Sequence, residues 1–215
     1  FCTEETEVEN GVSVTKKTCN GQGTGTSAFG DSTDGTGKTT SFNAPTGINT
    51  DGVYLYVMNT GSSSIRRVKM DTGETNTFSY SMNKGVSLNS PAGGDLAGEV
   101  LYIADKGNHV IRKLDTTSLT KAPLILIAGN LGISGYGYSS GYSASFYNPV
   151  GITADGMGNL YVADTGNHTI RKIVISTGEV TTVAGTPARP GFMNSEFGYP
   201  MFNRPRGICI IGKQL

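Results

Sequence analysis

The stretch that decides the fold is residues 149–173, which read PVGITADGMGNLYVADTGNHTIRKI. Residues 91–114 follow the same order of residue types, and a degenerate copy of the second half covers residues 59–67. A fourth copy begins at Phe202 and continues to Ile208. The four copies are marked by prolines spaced by 46, 58 and 56 residues, at Pro45, Pro91, Pro149 and Pro205. Self-similarity at this spacing indicates an array of structural repeats.

Each repeat predicts about four short strands, because alternating apolar residues run between turn residues. One such sheet cannot bury both of its faces alone, whereas copies packed around an axis can, so the fold prediction is an all-β propeller. A blade completed between molecules instead of within one would make a filament, because such a contact does not close. The prediction is a single domain, 1–215, with blade units at 41–86, 87–144 and 145–200 and a closing blade made of 1–19 with 201–215.

These repeats resemble the NHL-repeat family through residues 149–173 and 91–114, and the resemblance covers residues 41–215. It implies a β-propeller, with six blades the usual number in the family. It also implies two alternative functions, because some NHL propellers bind RNA and NHL-like lyases hold a metal with histidines in the central channel. The chain has only two histidines, which the repeats use in turns, so it departs from the lyase pattern.

The turn after the second strand of each repeat carries a recurring set of polar residues. Asp105 precedes Arg112 by seven positions, and Asp164 precedes Arg171 by the same distance. Across a hairpin this spacing predicts a cross-strand salt bridge. A single active site would be asymmetric, so a set that recurs in each blade is interpreted as structural.

The first repeat keeps the same spacing with a neutral residue, at Asn59 and Arg66. The two histidines, His109 and His168, occupy one turn position in different blades, so they are not expected to converge on a metal. We therefore predict no metal and no cofactor. Zero net charge argues against a nucleic-acid partner, although RNA binding through a ring of basic pairs stays an alternative, with the pairs at Arg66-Arg67, Arg112-Lys113 and Arg171-Lys172.

Asn10-Gly11 predicts a β-hairpin with a two-residue loop near the N-terminus. This pairing places Cys2 opposite Cys19 in a non-hydrogen-bonded pair, whose Cα separation suits a disulfide. A disulfide indicates an oxidising compartment, so we expect a secreted, extracellular protein. Cys209 is left over in an apolar run and is expected to be a buried thiol, with pairing to Cys2 or Cys19 as the rival.

Two surface features are candidates for recognition or modification. Tyr136, Tyr138 and Tyr142 lie in a Gly-rich connector that suits an interaction loop, with packing on a neighbouring blade as the alternative. Asn167 opens an N-glycosylation sequon on a turn expected to be exposed. The Ser- and Thr-rich connectors are candidate carriers of O-glycans.

The composition fits this picture, with 31 glycines in 215 residues and 17 basic residues against 17 acidic ones. No apolar run approaches the 18 residues of a membrane span. We therefore predict a non-enzymatic, extracellular propeller that acts in protein interaction or self-assembly, as a building block of a surface structure or fibril. The alternatives are an enzyme with a lyase- or lactonase-like site in the central channel, and an RNA-binding propeller.

Overall fold

The structure is a computed structural model that describes residues 2–9, 12–19, 34–37, 40–82, 86–137, 139–194 and 200–210. At positions 2–9, 12–19, 81–82, 139–140 and 142 it describes the backbone alone. The chain divides into two compact units, Phe1–Gly30 and Asp31–Leu215. In the described residues, no helix is long and apolar enough to cross a membrane.

The first unit contains a hairpin of β1 (Cys2–Glu9) and β2 (Val12–Cys19), which pair antiparallel. Cys2 lies opposite Cys19, so the register predicted from the sequence is confirmed. The turn residues Asn10-Gly11 lie outside the described residues. The disulfide itself stays a prediction, as does the closing blade that would combine this hairpin with residues 201–215.

The disulfide prediction has a direct chemical check. In the native protein, a thiol-alkylating reagent is expected to label Cys209, which is exposed and unpaired. Cys2 and Cys19 are expected to take up label only after reduction, because a disulfide has no thiolate to react. Peptide mass spectrometry locates the label, and labelling of Cys2 before reduction would refute the disulfide.

In the described part of the second unit, the strands form three five-stranded sheets, each of them one blade. The first contains β3 (Gly35–Thr36), β4 (Gly47–Thr50), β5 (Tyr54–Asn59), β6 (Ser64–Lys69) and β7 (Glu74–Thr77). The second contains β8 (Ser79–Met82), β9 (Pro91–Ala97), β10 (Val100–Asp105), β11 (Val110–Asp115) and β12 (Thr120–Ala128). The third contains β13 (Ser139–Ser140), β14 (Pro149–Ala154), β15 (Asn159–Asp164), β16 (Thr169–Val174) and β17 (Glu179–Ala184).

Each blade has one strand more than the repeat pattern predicts. The connector that precedes a blade supplies the additional strand, which pairs with the last strand of that blade: β3 with β7, β8 with β12, and β13 with β17. Two of these additional strands have only two residues, too few to show a hydrophobic period. The connectors are therefore attached to the outer edges of the blades along part of their length.

The hydrophobic core lies between blades, as expected when sheets bury both faces by packing side by side. Alternate residues of β10 point to opposite neighbours. Leu101 and Ile103 pack with Tyr56 and Met58 of the first blade, whereas the flanking Tyr102 and Ala104 pack with residues of the third blade.

Glycine at one repeat position allows the first long strands of successive blades to approach closely. A Cβ atom on Gly93 would lie 2.2 Å from the carbonyl oxygen of Val150 in the next blade. A Cβ atom on Gly151 would lie 2.1 Å from the carbonyl oxygen of Arg206. Both distances are shorter than any van der Waals contact, so the position requires a residue without a side chain.

The described residues 200–210 continue the array beside the third blade. The Thr165 hydroxyl donates a hydrogen bond to the Pro205 carbonyl at 2.6 Å. Residues 202–210 contain no strand. Cys209, within this segment, is exposed. The prediction of a buried Cys209 thiol is therefore wrong, because no described strand covers the apolar run that contains it.

Candidate functional site

A cleft of about 920 Å³ lies where the blades meet. Its lining comes from the starts of β4, β9 and β14, from the turns that follow β5, β10 and β15, and from residues 204–208. Equivalent repeat positions therefore surround it, and its size is in the range of small-molecule sites. The chemistry of the cleft depends on which side chains the repeat uses for structure and which it leaves exposed.

In the second blade, a buried carboxylate holds the turn that recurs in each repeat. Asp105 and Arg112 are both fully buried, and the Arg112 Nε lies 2.7 Å from Asp105 Oδ2. The Asn108 side chain donates to the same Oδ2 at 2.8 Å, and the Asn89 N–H donates to Oδ1 at 2.8 Å. The predicted salt bridge is present, and it joins three parts of one blade.

The third blade repeats this arrangement around Asp164. The Arg171 guanidinium lies 3.4 Å from Asp164 Oδ2, and both side chains are fully buried. The Asn167 side chain donates to Oδ2 at 2.7 Å, and the Tyr147 N–H donates to Oδ1 at 2.8 Å. In both blades the carboxylate accepts from an asparagine amide and a backbone N–H and pairs with an arginine, through Nε of Arg112 and through Nη1 of Arg171. This recurrence is the pattern of a structural staple.

The first blade replaces the acid by Asn59, whose Oδ1 accepts the Asn43 N–H at 2.7 Å. Arg66 remains fully buried and finds its acid elsewhere, with its guanidinium 3.0 Å from Asp34 Oδ1. It also donates to the Ser41 carbonyl. Sequence reasoning missed Asp34, because this residue lies in the connector and outside the repeat.

Burial acts against the charge of both carboxylates. It raises the pKa of Asp164 to about 6, even though the hydrogen bonds from Asn167 and Tyr147 and the charge of Arg171 lower it. Burial likewise raises the pKa of Asp105. Carboxylates with raised pKa values are typical of catalytic sites, but here their oxygens are occupied by partners within the blade.

The histidines join each blade to the next. His109 and His168 adopt a left-handed conformation, with φ of 59° and 61°. The His109 Nδ1 accepts the Asn148 N–H at 3.2 Å, and the His168 Nδ1 accepts the Arg204 N–H at 3.1 Å. Both acceptors require an imidazole without a proton on Nδ1.

Serine serves the same purpose in the first blade. The Ser63 hydroxyl oxygen accepts the Ser90 N–H at 3.0 Å. The histidine position is therefore a contact between blades. Within the ranges that the structure describes, no group of three or more His, Cys, Asp and Glu side chains could hold a metal.

Replacing His109 by asparagine is expected to reduce the loss of stability on acidification. Burial lowers the pKa of His109 below its ordinary value of 6.5. The stabilisation by the neutral ring is therefore complete above that ordinary value and is lost as the pH falls through the folded-state pKa. Asparagine tolerates the left-handed conformation and keeps an acceptor, but it does not titrate in this range.

The measurement is the free energy of unfolding of both proteins from about pH 7.5 to about pH 5.5, which spans the imidazole titration. The raised pKa values of Asp105 and Asp164 increase the free energy of unfolding as the pH falls, and they do so equally in both proteins. The difference between the two curves therefore reports on His109. Parallel curves would contradict the assignment.

One prediction and one alternative about exposed groups are wrong. Asn167 is 3% exposed and donates to the Gly135 carbonyl at 2.6 Å as well as to Asp164, so its amide is not accessible in the folded chain as a glycan acceptor requires. The first residues of the three basic pairs do not form a ring on the surface. They are fully buried, at Arg66, Arg112 and Arg171.

The tyrosine connector is tied to the third blade through its backbone. The Gly137 carbonyl accepts from Arg171 at 3.1 Å, and the Gly137 N–H donates to the Ser145 hydroxyl oxygen at 2.8 Å. Tyr136 is 53% exposed. Tyr138 lies outside the described residues, and only the backbone of Tyr142 is described. The role of all three in recognition stays a prediction.

Three cationic residues line the cleft, Lys106, Arg204 and Arg206. Sequence reasoning did not select them. They stand at repeat positions where the other blades carry uncharged residues. Alignment of the copies with one another, followed by a search for positions where one copy departs, would have found them.

Comparison with known proteins agrees with this geometry. The family model described as NHL repeat matches residues 146–173, which contain the Asp164 turn. The chain contains an NHL repeat, and its fold is a β-propeller. NHL repeat-containing protein 2 is 41% identical to it over 71 residues, both in Bos taurus and in Homo sapiens. The match covers 33% of this propeller chain but only 10% of each relative's length.

Solved structures resemble this propeller in fold. An auxiliary nutrient binding protein from Bacteroides thetaiotaomicron superposes with a TM-score of 0.60 at 21% identity, covering 75% of this chain and 41% of its own. A structural genomics protein from the same organism gives 0.65 at 22%, covering 78% and 42%. A chain of a nidogen/laminin complex gives 0.50 at 16%, covering 87% and 59%.

Proposed function

We propose that this chain is a non-enzymatic, extracellular interaction propeller that assembles through the faces that bear Ile48 and Gly207. One comparison carries the proposal. Ile152, on β14 directly after Gly151, is 4% exposed and packs against the second blade. Ile48 is its counterpart on β4, directly after Gly47, and is 61% exposed. Within the described residues 34–210, the face of the first blade that bears Ile48 therefore has the repeat position of a blade interface but no blade packed on it.

The repeat that contains Gly207 has the complementary feature. Gly207 is the fourth member of the series that begins with Gly47, Gly93 and Gly151. The first three each face a carbonyl oxygen of the following repeat, whereas no described atom lies within 4 Å of the Cβ position of Gly207. We expect the Gly207 position of one copy of the chain to pack against the Ile48 face of a second copy. A single type of contact then uses both surfaces.

The use of the polar residues supports a non-enzymatic role. Asp105 and Asp164 are paired within their blades, and His109 and His168 join blades. These are the residue types that general acid–base catalysis employs. Here each serves the same structural purpose as its counterpart in another blade.

Two further observations support the setting and the class of function. Cys2 lies opposite Cys19, the arrangement that a disulfide of a secreted protein needs. A chain of the same fold was solved within a nidogen/laminin complex. An interaction role outside the cell is consistent with both.

Self-association is tested by sedimentation velocity over a range of concentrations. We expect the wild-type chain to associate, and Ile48→Glu to keep its fold but sediment as a monomer, because a charge on this face cannot be desolvated. Met157→Glu is the matched control, since Met157 is 69% exposed in a loop between strands of the third blade. A wild-type chain that stays monomeric, or equal effects of the two substitutions, would overturn the proposal.

A further inference from the structure

The cleft between the blades concentrates positive charge in a chain that is neutral as a whole. Lys106, Arg204 and Arg206 line it, and no Asp or Glu belongs to the described lining. The chain has 17 basic and 17 acidic residues in total. A cleft lined by charges of one sign focuses their field and raises the local concentration of counter-ions.

The nearest repeat carboxylates do not neutralise this charge. Asp105 and Asp164 are fully buried, and each is paired with the arginine of its own blade. With the residues that the structure describes, the side chains of Lys106, Arg204 and Arg206 form no ion pair. Their charges are available to a ligand.

Lys106 stands where the other described blades carry threonine. The Thr60 hydroxyl donates to the Pro91 carbonyl at 2.7 Å, and the Thr165 hydroxyl donates to the Pro205 carbonyl at 2.6 Å. These bonds join each blade to the next. The second blade has an ammonium group at this position instead, in the lining of the cleft.

We propose that the cleft binds a small anion with several charged groups, carboxylates or phosphates, and that Lys106, Arg204 and Arg206 are its cationic ligands. His168 also lines the cleft. Because its Nδ1 accepts the Arg204 N–H, the neutral ring carries its proton on Nε2 and is a donor. Arginine and lysine bind both kinds of anion through charge-assisted hydrogen bonds.

Isothermal titration calorimetry at low ionic strength tests the site with citrate and with tripolyphosphate. The informative variants install residues that other repeats already carry at the equivalent positions, so they are expected to fold. Lys106→Thr copies Thr60 and Thr165, and Arg206→Thr copies Thr46. Each is expected to weaken binding about tenfold, the effect of one charge-assisted hydrogen bond.

Lys113→Thr is the matched control, because it removes the same charge from β11 of the same blade and does not line the cleft. It is expected to bind like the wild-type chain. Binding of only one of the two anions identifies the charged group that the site selects. Failure of both anions to bind, unchanged binding by both cleft variants, or equal weakening by Lys113→Thr would overturn the proposal.

Discussion

Replacing Asp105 by alanine is expected to lower the free energy of unfolding by about 3–5 kcal/mol, the range for breaking a buried ion pair by removal of one partner. The substitution leaves the Arg112 guanidinium, which is fully buried, without its counter-charge. It also removes the acceptor of the Asn89 N–H and of the Asn108 amide. Chemical denaturation with a spectroscopic readout measures the change.

Two further variants separate the contributions to this effect. Asp105→Asn keeps an acceptor oxygen and copies Asn59 of the first blade, so it is expected to lose less stability than Asp105→Ala. Glu99→Ala removes an exposed carboxylate of the same blade and is expected to change stability by no more than about 0.5 kcal/mol. If Asp105→Ala were as mild as Glu99→Ala, the staple assignment would be wrong.

Replacing Gly93 by alanine is expected to destabilise the array by about 3 kcal/mol, the upper part of the range for overpacking. The new Cβ atom would lie 2.2 Å from the Val150 carbonyl oxygen, a backbone atom that cannot rotate away. The second and third blades would have to separate, which weakens the core layer that contains Tyr102 and Ile152.

Gly207→Ala is the matched control for this prediction, because it makes the same change at the same repeat position. No described atom lies within 4 Å of its Cβ position, so the stability of the monomer is expected to change by no more than about 0.5 kcal/mol. Equal destabilisation of the two variants at a concentration where the chain is monomeric would contradict the packing role of Gly93.

The local features of the blades could be predicted from the sequence because they depend on residues close together in the chain. A hairpin fixes which residues oppose each other, so the seven-residue spacing placed Asp105 near Arg112. The Asn-Gly turn likewise placed Cys2 opposite Cys19. In both cases the strand period and a short turn determine the pairing without reference to the rest of the molecule.

Burial was predicted less well, because it depends on what packs against a residue from another blade. Asn167 stands in a turn and was expected to be exposed, but the connector lies over it and the Gly135 carbonyl accepts from its amide. Cys209 stands in an apolar run and was expected to be buried, but it is exposed. Neither outcome is encoded in the residues next to it.

The sequence by itself determined the repeat, the class of fold and the staples within each blade, since each repeat specifies its own hairpins. Only the tertiary structure decided what lies between blades. It showed that Ile48 and Ile152 occupy one repeat position with opposite exposure, and that Lys106 and Arg206 line one cleft. The physical reason is that blades meet through residues far apart in the chain, from 27 positions for Ser63 and Ser90 to 57 for Gly93 and Val150. No local period relates the face of one blade to the face of the next.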